Sequence, residues 1–344
     1  MLYYLTRWVI IALFLSSLQE DLLAATYSNI YTPVDTTKSI FDFISTEEVL
    51  NLSIKTDINF LLENKYAGEK QKAELVMSGV REDYKNWDVN VNVRGKFRRR
   101  HCDFPPLKVK FKKGELRERG LSDHASLKLV THCTDKAVSN ELILKEYLAY
   151  KLYNIITDHS FRVQLVKIDW IDESQLNNIG TQWGFLIEDK DELEDRFNGT
   201  PHEESGAWHS QINSKNAAIF YLFQYMIGNH DWRIENGQNI HFIKGKDSGE
   251  IIAVAYDFDF SVMVSSYYST SPFKLPRNNK RAYIGYATTE ENKEAKELFK
   301  SKKKEILNEI KSFDVLSKKN RRVVTNYIKS FYVVLSEPLI SQRK

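Results

Sequence analysis

The stretch Gly228–Ser261, GNHDWRIENGQNIHFIKGKDSGEIIAVAYDFDFS, constrains this chain more than any other. It reads as the end of a helix, a polar loop, a β-hairpin and a second polar loop, with hairpin strands Asn239–Ile243 and Ile251–Tyr256. A hairpin returns the chain beside itself, so the loops before and after it meet at one end. The first loop carries Asp231 and the second Asp257 and Asp259, with an asparagine between. Carboxylate and amide oxygens gathered in this way suit a divalent cation with hard ligands. Such ions commonly bridge the phosphates of a nucleotide.

The rest of the chain must then supply positive charge. Net charge over the 344 residues is only +3, which gives no reason to expect a nucleic-acid partner. The distribution is uneven, however. From Arg94 to Arg119 there are eleven Lys and Arg against three acidic residues. That segment holds few aromatics on which bases could stack, a second argument against nucleic acid. Strand signals run over Trp87–Phe97 and, after Pro105–Pro106, over Leu107–Phe111. On the latter strand Leu107, Val109 and Phe111 share one face, and Lys108 and Lys110 the other. Lysines so placed serve either a solvated face or anionic phosphates.

A strand at Ser126–His132 leads into the strongest helix of the first half, Ser139–Asn154. Within it Glu146 has Leu142, Ala149, Tyr150 and Tyr153 on its own face, so its carboxylate lies among apolar neighbours. A carboxylate is costly to bury unless paired, and Lys108 or Lys110 would be suitable partners; a rim position reaching water is the alternative. Strands follow at Phe161–Ile171 and Thr181–Ile187, then a helix at Asn216–Ile227 that delivers Asn229, His230 and Asp231. Ser265–Asn279 reads as a surface loop, ahead of helices around Glu290–Phe313 and Lys318–Ser336.

Arg7, the apolar run Trp8–Leu18 and the small residues Ala24 and Ala25 have the form of a secretory signal over residues 1–25. A run of eleven residues is too short to span a bilayer, and no later run is long and apolar enough, so no membrane span is expected after cleavage. The two cysteines, Cys102 and Cys133, permit one disulfide in an exported chain. A zinc site with His101 and His132 is the weaker alternative, because the usual ligand spacings are absent. Two free buried thiols are the other.

In this order the parts resemble the CotH family of kinase-like proteins, over about Val93–Ser261. The resemblance is carried by the RG, FP and K-x-K-F elements of Arg94–Phe111, then KEYLAYKL, WGFLIEDKD, NHDW and YDFDFS. It implies an α+β, two-lobed protein-kinase-like fold: an antiparallel-sheet N-lobe over 26–187 and a mainly helical C-lobe over 188–344. It further implies ATP with Mg²⁺ or Mn²⁺ as cofactors, and transfer of the γ-phosphoryl group to Ser or Thr hydroxyls of a protein. On this resemblance Asp231 is the catalytic residue at the acceptor hydroxyl. Asn239, or Asn236 at the ordinary kinase spacing, holds metal together with Asp257 and Asp259. Arg94 and Lys108 or Lys110 face the nucleotide phosphates, Glu146 is the ion-pair partner of that lysine, and Glu188 lies near the adenine. No Gly-x-Gly-x-x-Gly loop and no Ala-Pro-Glu segment is present, as the family also lacks them. A non-catalytic kinase-like scaffold in surface assembly, and a metal-dependent hydrolase or nucleotidyl transferase, are the competing expectations.

Overall fold

The computed structural model describes residues 38–46, 48–134, 137–202, 207–264 and 281–341. The expected signal at 1–25 and the expected loop Ser265–Asn279 lie outside the described residues.

The period-two alternation of the first half becomes seven strands: β1 (Leu50–Thr56), β2 (Gln71–Ser78), β3 (Asn86–Val93), β4 (Leu107–Lys110), β5 (Ser126–Val130), β6 (Val163–Asp172) and β7 (Gly180–Ile187). Leu52, Ile54, Leu75, Val89, Val91, Leu107, Val109, Leu127 and Leu129 point inward and are buried together. Short helices fill the connections: α1 (Ile40–Ile44), α2 (Ile58–Glu63), α3 (Arg98–His101) and α4 (Lys113–Glu118). Asp57 caps α2, its side chain accepting from the Phe60 amide at 2.9 Å.

Two expectations are corrected here. The sheet is not an open antiparallel one; it closes as a barrel in the order β1-β2-β3-β4-β5-β7-β6, and β6 runs parallel to β1. Alternation reports which face of a strand is buried, not which way its neighbour runs, so this seam is invisible in the sequence. The strand expected over Trp87–Phe97 ends at Val93. Gly95 turns the chain there with φ +82°, and three residues later the one-turn helix α3 begins.

Helix α5 (Ala137–Ile156) follows β5 and packs on β6 and β7. The remaining elements are α6 (Lys190–Arg196), β8 (Gly199–Pro201), α7 (Ser214–Ile227), β9 (Ile240–Gly245), β10 (Ile251–Ala255), α8 (Thr289–Ser312) and α9 (Lys318–Val334). They enclose a second core with α5, in which Leu148, Leu152, Leu222, Phe223, Phe258, Phe299 and Phe331 are all buried. The protein is thus mixed α and β, with a barrel core and a mainly helical core. Helix α7 is capped by the Asn213 side chain and stops at Gly228, which takes the left-handed C-cap conformation, φ 67°. That stop turns the chain into the Asp231 loop. Among the described residues no helix is long and apolar enough to cross a membrane.

Candidate active site

The hairpin forms as read, with β9 and β10 antiparallel and Ala255 opposite Ile240. Asn239 immediately precedes the first strand and Asp257 follows the second by two residues, so the two loops do meet at one end. Both residues adopt positive φ, 56° and 62°. Asn and Asp tolerate that region better than other residues with a side chain, because their short polar groups can bond locally. The Asp257 amide donates to Tyr150 Oη at 2.8 Å, while its carboxylate stays half exposed.

Asp231 is held from the same hairpin. Asn239 Nδ2 donates to its carboxylate at 3.0 Å and to its backbone oxygen at 2.6 Å, and Gln238 Nε2 donates to the other carboxylate oxygen. Asn236 is turned into its own loop, where its Oδ1 accepts from the Gln238 amide. Burial, and then the negative charge of Asp257, raise the Asp231 carboxyl above its ordinary value against these hydrogen bonds. Beneath the loop Trp232 is fully buried, and its indole N–H donates to the Asn229 carbonyl at 3.2 Å. His230 is buried as well; its Nε2 accepts from the Ala282 amide, and burial pushes its pKa down to about 4.

Opposite lies the basic segment. A cavity of about 700 Å³ is lined by Arg94, Lys96, Arg98 and Lys128 on the barrel side, and by Asp231, Asn236, Asn239, Asp257 and Asp259 on the hairpin side. Lys128 reaches it from β5, standing 4.7 Å from the Phe161 ring and 5.4 Å from the Tyr256 ring. Burial, with the positive charges of Arg94 and Lys108, lowers its pKa to about 8, against Asp189 and Asp257.

The partner of Glu146 differs from expectation. It is neither Lys108 nor Lys110 but Arg98, whose Nη2 donates to Glu146 Oε2 at 2.6 Å. Arg98 Nε also donates to Asp259 Oδ2 at 2.9 Å, and Nη2 lies 3.6 Å from Asp257 Oδ1. A planar guanidinium can serve several carboxylates where a lysine ammonium on a facing strand cannot reach. Burial holds the Glu146 carboxyl above the usual range, and Asp259 and Asp257 act in the same direction against Arg98.

Lys108 and Lys110 do not line the cavity. Lys108 pairs across β4 and β5 with Lys128, so its charge is felt there, and Lys110 is exposed. Glu188 is also apart from the lining: fully buried, it accepts from the amide and Nε of Arg162 at 2.7 and 2.8 Å and from Arg196 Nη2 at 2.7 Å. Its role in the fold is to anchor these two arginines. The charged cavity-lining residues missed in the sequence are Arg98, Lys96 and Lys128. Lys128 had a signal, since SLKLV alternates and leaves the lysine on the face away from Leu127 and Leu129. Arg98 had only the unsatisfied demand of Glu146.

Cys102, at the end of α3, and Cys133, after β5, form a disulfide, which removes both the zinc and the free-thiol alternatives. It ties the segment carrying Arg98 to the start of α5, and the Asp103 amide donates to the Cys133 carbonyl at 2.9 Å beside it.

The donors present fit a hard divalent cation in kind: carboxylates and an amide oxygen. They are not yet gathered on one point. Among the described residues no three His, Cys, Asp or Glu groups are disposed to hold a metal ion. Asp259 is turned into Arg98, and Asp231 into Gln238 and Asn239.

The chain matches no protein-family model and no curated protein sequence. Among solved structures it is similar to the crystal structure of the Golgi casein kinase with Mn/ADP bound, at 9% identity and a TM-score of 0.37, over 72% of this chain and 73% of that one. At that score the cavity's own residues, and not the overlay, carry the functional argument.

Proposed function

We propose that this cavity binds a nucleoside triphosphate with a divalent metal and transfers the terminal phosphoryl group to a Ser or Thr hydroxyl of a protein, as the CotH-like motifs imply. One observation carries this reading: cationic Arg94, Lys96 and Lys128 face Asp231, Asn239, Asp257 and Asp259 across one cavity of about 700 Å³. Phosphoryl transfer depends on positioning and charge neutralisation more than on covalent chemistry by the protein.

In this reading Asn239, Asp257 and Asp259 would hold Mg²⁺ or Mn²⁺, which when bound neutralises charge on the phosphate oxygens. Arg94, Lys96 and Lys128 bind the phosphates from the barrel side. Asp231 sits at the acceptor. Its raised pKa makes it a better proton acceptor than an ordinary aspartate, while the amides of Asn239 and Gln238 fix its orientation. The fold then serves as a kinase-like pair of lobes meeting at the cavity. The disulfide supports an oxidising, extracytoplasmic location.

The test is calorimetric titration of ATP with Mg²⁺ or Mn²⁺, followed by mass spectrometry of phosphorylated proteins. Metal-dependent binding that Asp257→Asn abolishes, with phosphate appearing on Ser or Thr, is the expected result. The closure of Arg98 on Asp259 favours a second reading, a non-catalytic scaffold. Folded protein that binds no nucleotide with either metal would establish that reading instead.

A further inference from the structure

Around Arg98 one guanidinium serves three carboxylates: Glu146 at 2.6 Å, Asp259 at 2.9 Å and Asp257 at 3.6 Å. Arg98, Glu146 and Asp259 are all buried. Asp259 Oδ2, one of the two oxygens this carboxylate could offer an ion, is held by Arg98 Nε, and among the described residues no three His, Cys, Asp or Glu groups are disposed to hold a metal ion.

We infer that Arg98 is a resident counter-cation that keeps Asp259 and Asp257 engaged before metal arrives, and that metal loads by exchange with it. The inference rests on the assignment of Asp257 and Asp259 as metal ligands in the preceding reading. The exchange needs only a side-chain movement. The backbone of α3 is fixed at its end by the Cys102–Cys133 disulfide, and Glu146, on the rigid helix α5, can keep Nη2 while Nε leaves Asp259. Arg98 itself lines the cavity, so the released N–H faces the space where phosphate oxygens would sit. The same residue thus passes from carboxylate to phosphate. Metal and triphosphate consequently bind with positive coupling, each removing a cost of the other's entry.

The experiment titrates Mn²⁺ alone, without nucleotide, into wild type and into Arg98→Met/Glu146→Gln, following free Mn²⁺ by electron paramagnetic resonance. The paired substitution removes the buried glutamate's need for a cation, and circular dichroism verifies that the variant is folded. The variant is expected to bind Mn²⁺ about tenfold or more tightly than wild type, within the usual range of site coupling. Equal or weaker binding overturns the exchange but leaves the nucleotide reading standing wherever wild type binds ATP with Mn²⁺. No Mn²⁺ binding by either protein, with or without ATP, overturns both. A second readout does not depend on that variant. The Arg98 Nε–H resonance, assigned by its loss in Arg98→Lys, should shift when wild type is saturated with diamagnetic Mg²⁺, and an unmoved resonance also overturns the exchange.

Discussion

Asn239 and Asp257 stand at the two feet of one hairpin, both with positive φ, and the Tyr256 amide donates to the Asn239 carbonyl at 3.2 Å between them. Each foot therefore couples a backbone requirement to a side chain that lines the cavity. For Asp257 the two can be separated. Asp257→Asn keeps a residue that tolerates the left-handed region and removes only the charge. It is expected to abolish metal-dependent nucleotide binding while leaving stability equal or higher. Asp257→Ala should lose binding and a further stability of about 1 kcal/mol, the cost of a left-handed alanine. Calorimetry and urea denaturation of the two variants check this.

In the proposed nucleotide reading, Lys128 gives the basic wall of the cavity a pH dependence. Its pKa of about 8 means that the ammonium is present below that pH and lost above it. Affinity for a triphosphate is expected to fall as pH rises past about 8, with bound phosphate moving the transition upward by stabilising the charged form. Lys128→Met should lower affinity at neutral pH and remove the alkaline slope; binding measured from pH 7 to 9.5 would show it.

His230 governs stability on the acid side. Its folded pKa of about 4 lies below the ordinary value of 6.5, so the unfolded chain takes up the proton first. The stabilisation is complete above pH 6.5 and is lost as pH falls towards 4. Its full size is about 3 kcal/mol at most. His241, also lowered to about 4 by burial and by Lys128 and Lys190, acts in the same direction. Denaturation of wild type and His230→Gln at pH 7 and pH 5 should show a smaller loss in the variant, whose amide oxygen can still accept from Ala282.

Cys102 and Cys133 are 31 residues apart, and closing a loop of that length restricts the unfolded chain by about 3.5 kcal/mol in the chain-entropy account. Cys102→Ala/Cys133→Ala is expected to lower the denaturation midpoint accordingly. Because the bridge ends the segment carrying Arg98, nucleotide affinity should fall as well, at a temperature where the variant remains folded.

The legible part of the site was local. Asp231, Asn239 and Asp257 lie within one hairpin and its flanking loops, where alternation and turn residues dictate the geometry. Glu146 was legible as a demand, a carboxylate among Leu142, Ala149, Tyr150 and Tyr153, but not its supply. Arg98 lies 48 residues away within three consecutive arginines, and nothing in the sequence separates it from Arg99 and Arg100. The charge-rich segment and the resemblance point to Lys108 or Lys110, whereas Lys128 is a lone lysine in SLKLV, and only strand pairing sets it opposite Lys108. Glu188 was placed by order along the chain, which carries no information about Arg162 and Arg196.

The parallel seam between β1 and β6 also dictates how this chain must acquire its structure. Leu50 pairs with Val166 and Thr56 with Asp172, so the barrel has no closed form until β6, and β7 that joins it to β5, have been synthesised. Until then β1 offers an unpaired edge, open to other chains as much as to its own. Pairings this distant in sequence are slow to form, because the loop must be closed before any contact rewards it. The rate-limiting event in refolding is therefore expected to be the arrival of β6 at that edge. Substitutions in the seam, such as Ile168→Val, should slow folding more than equally destabilising ones in α8 or α9.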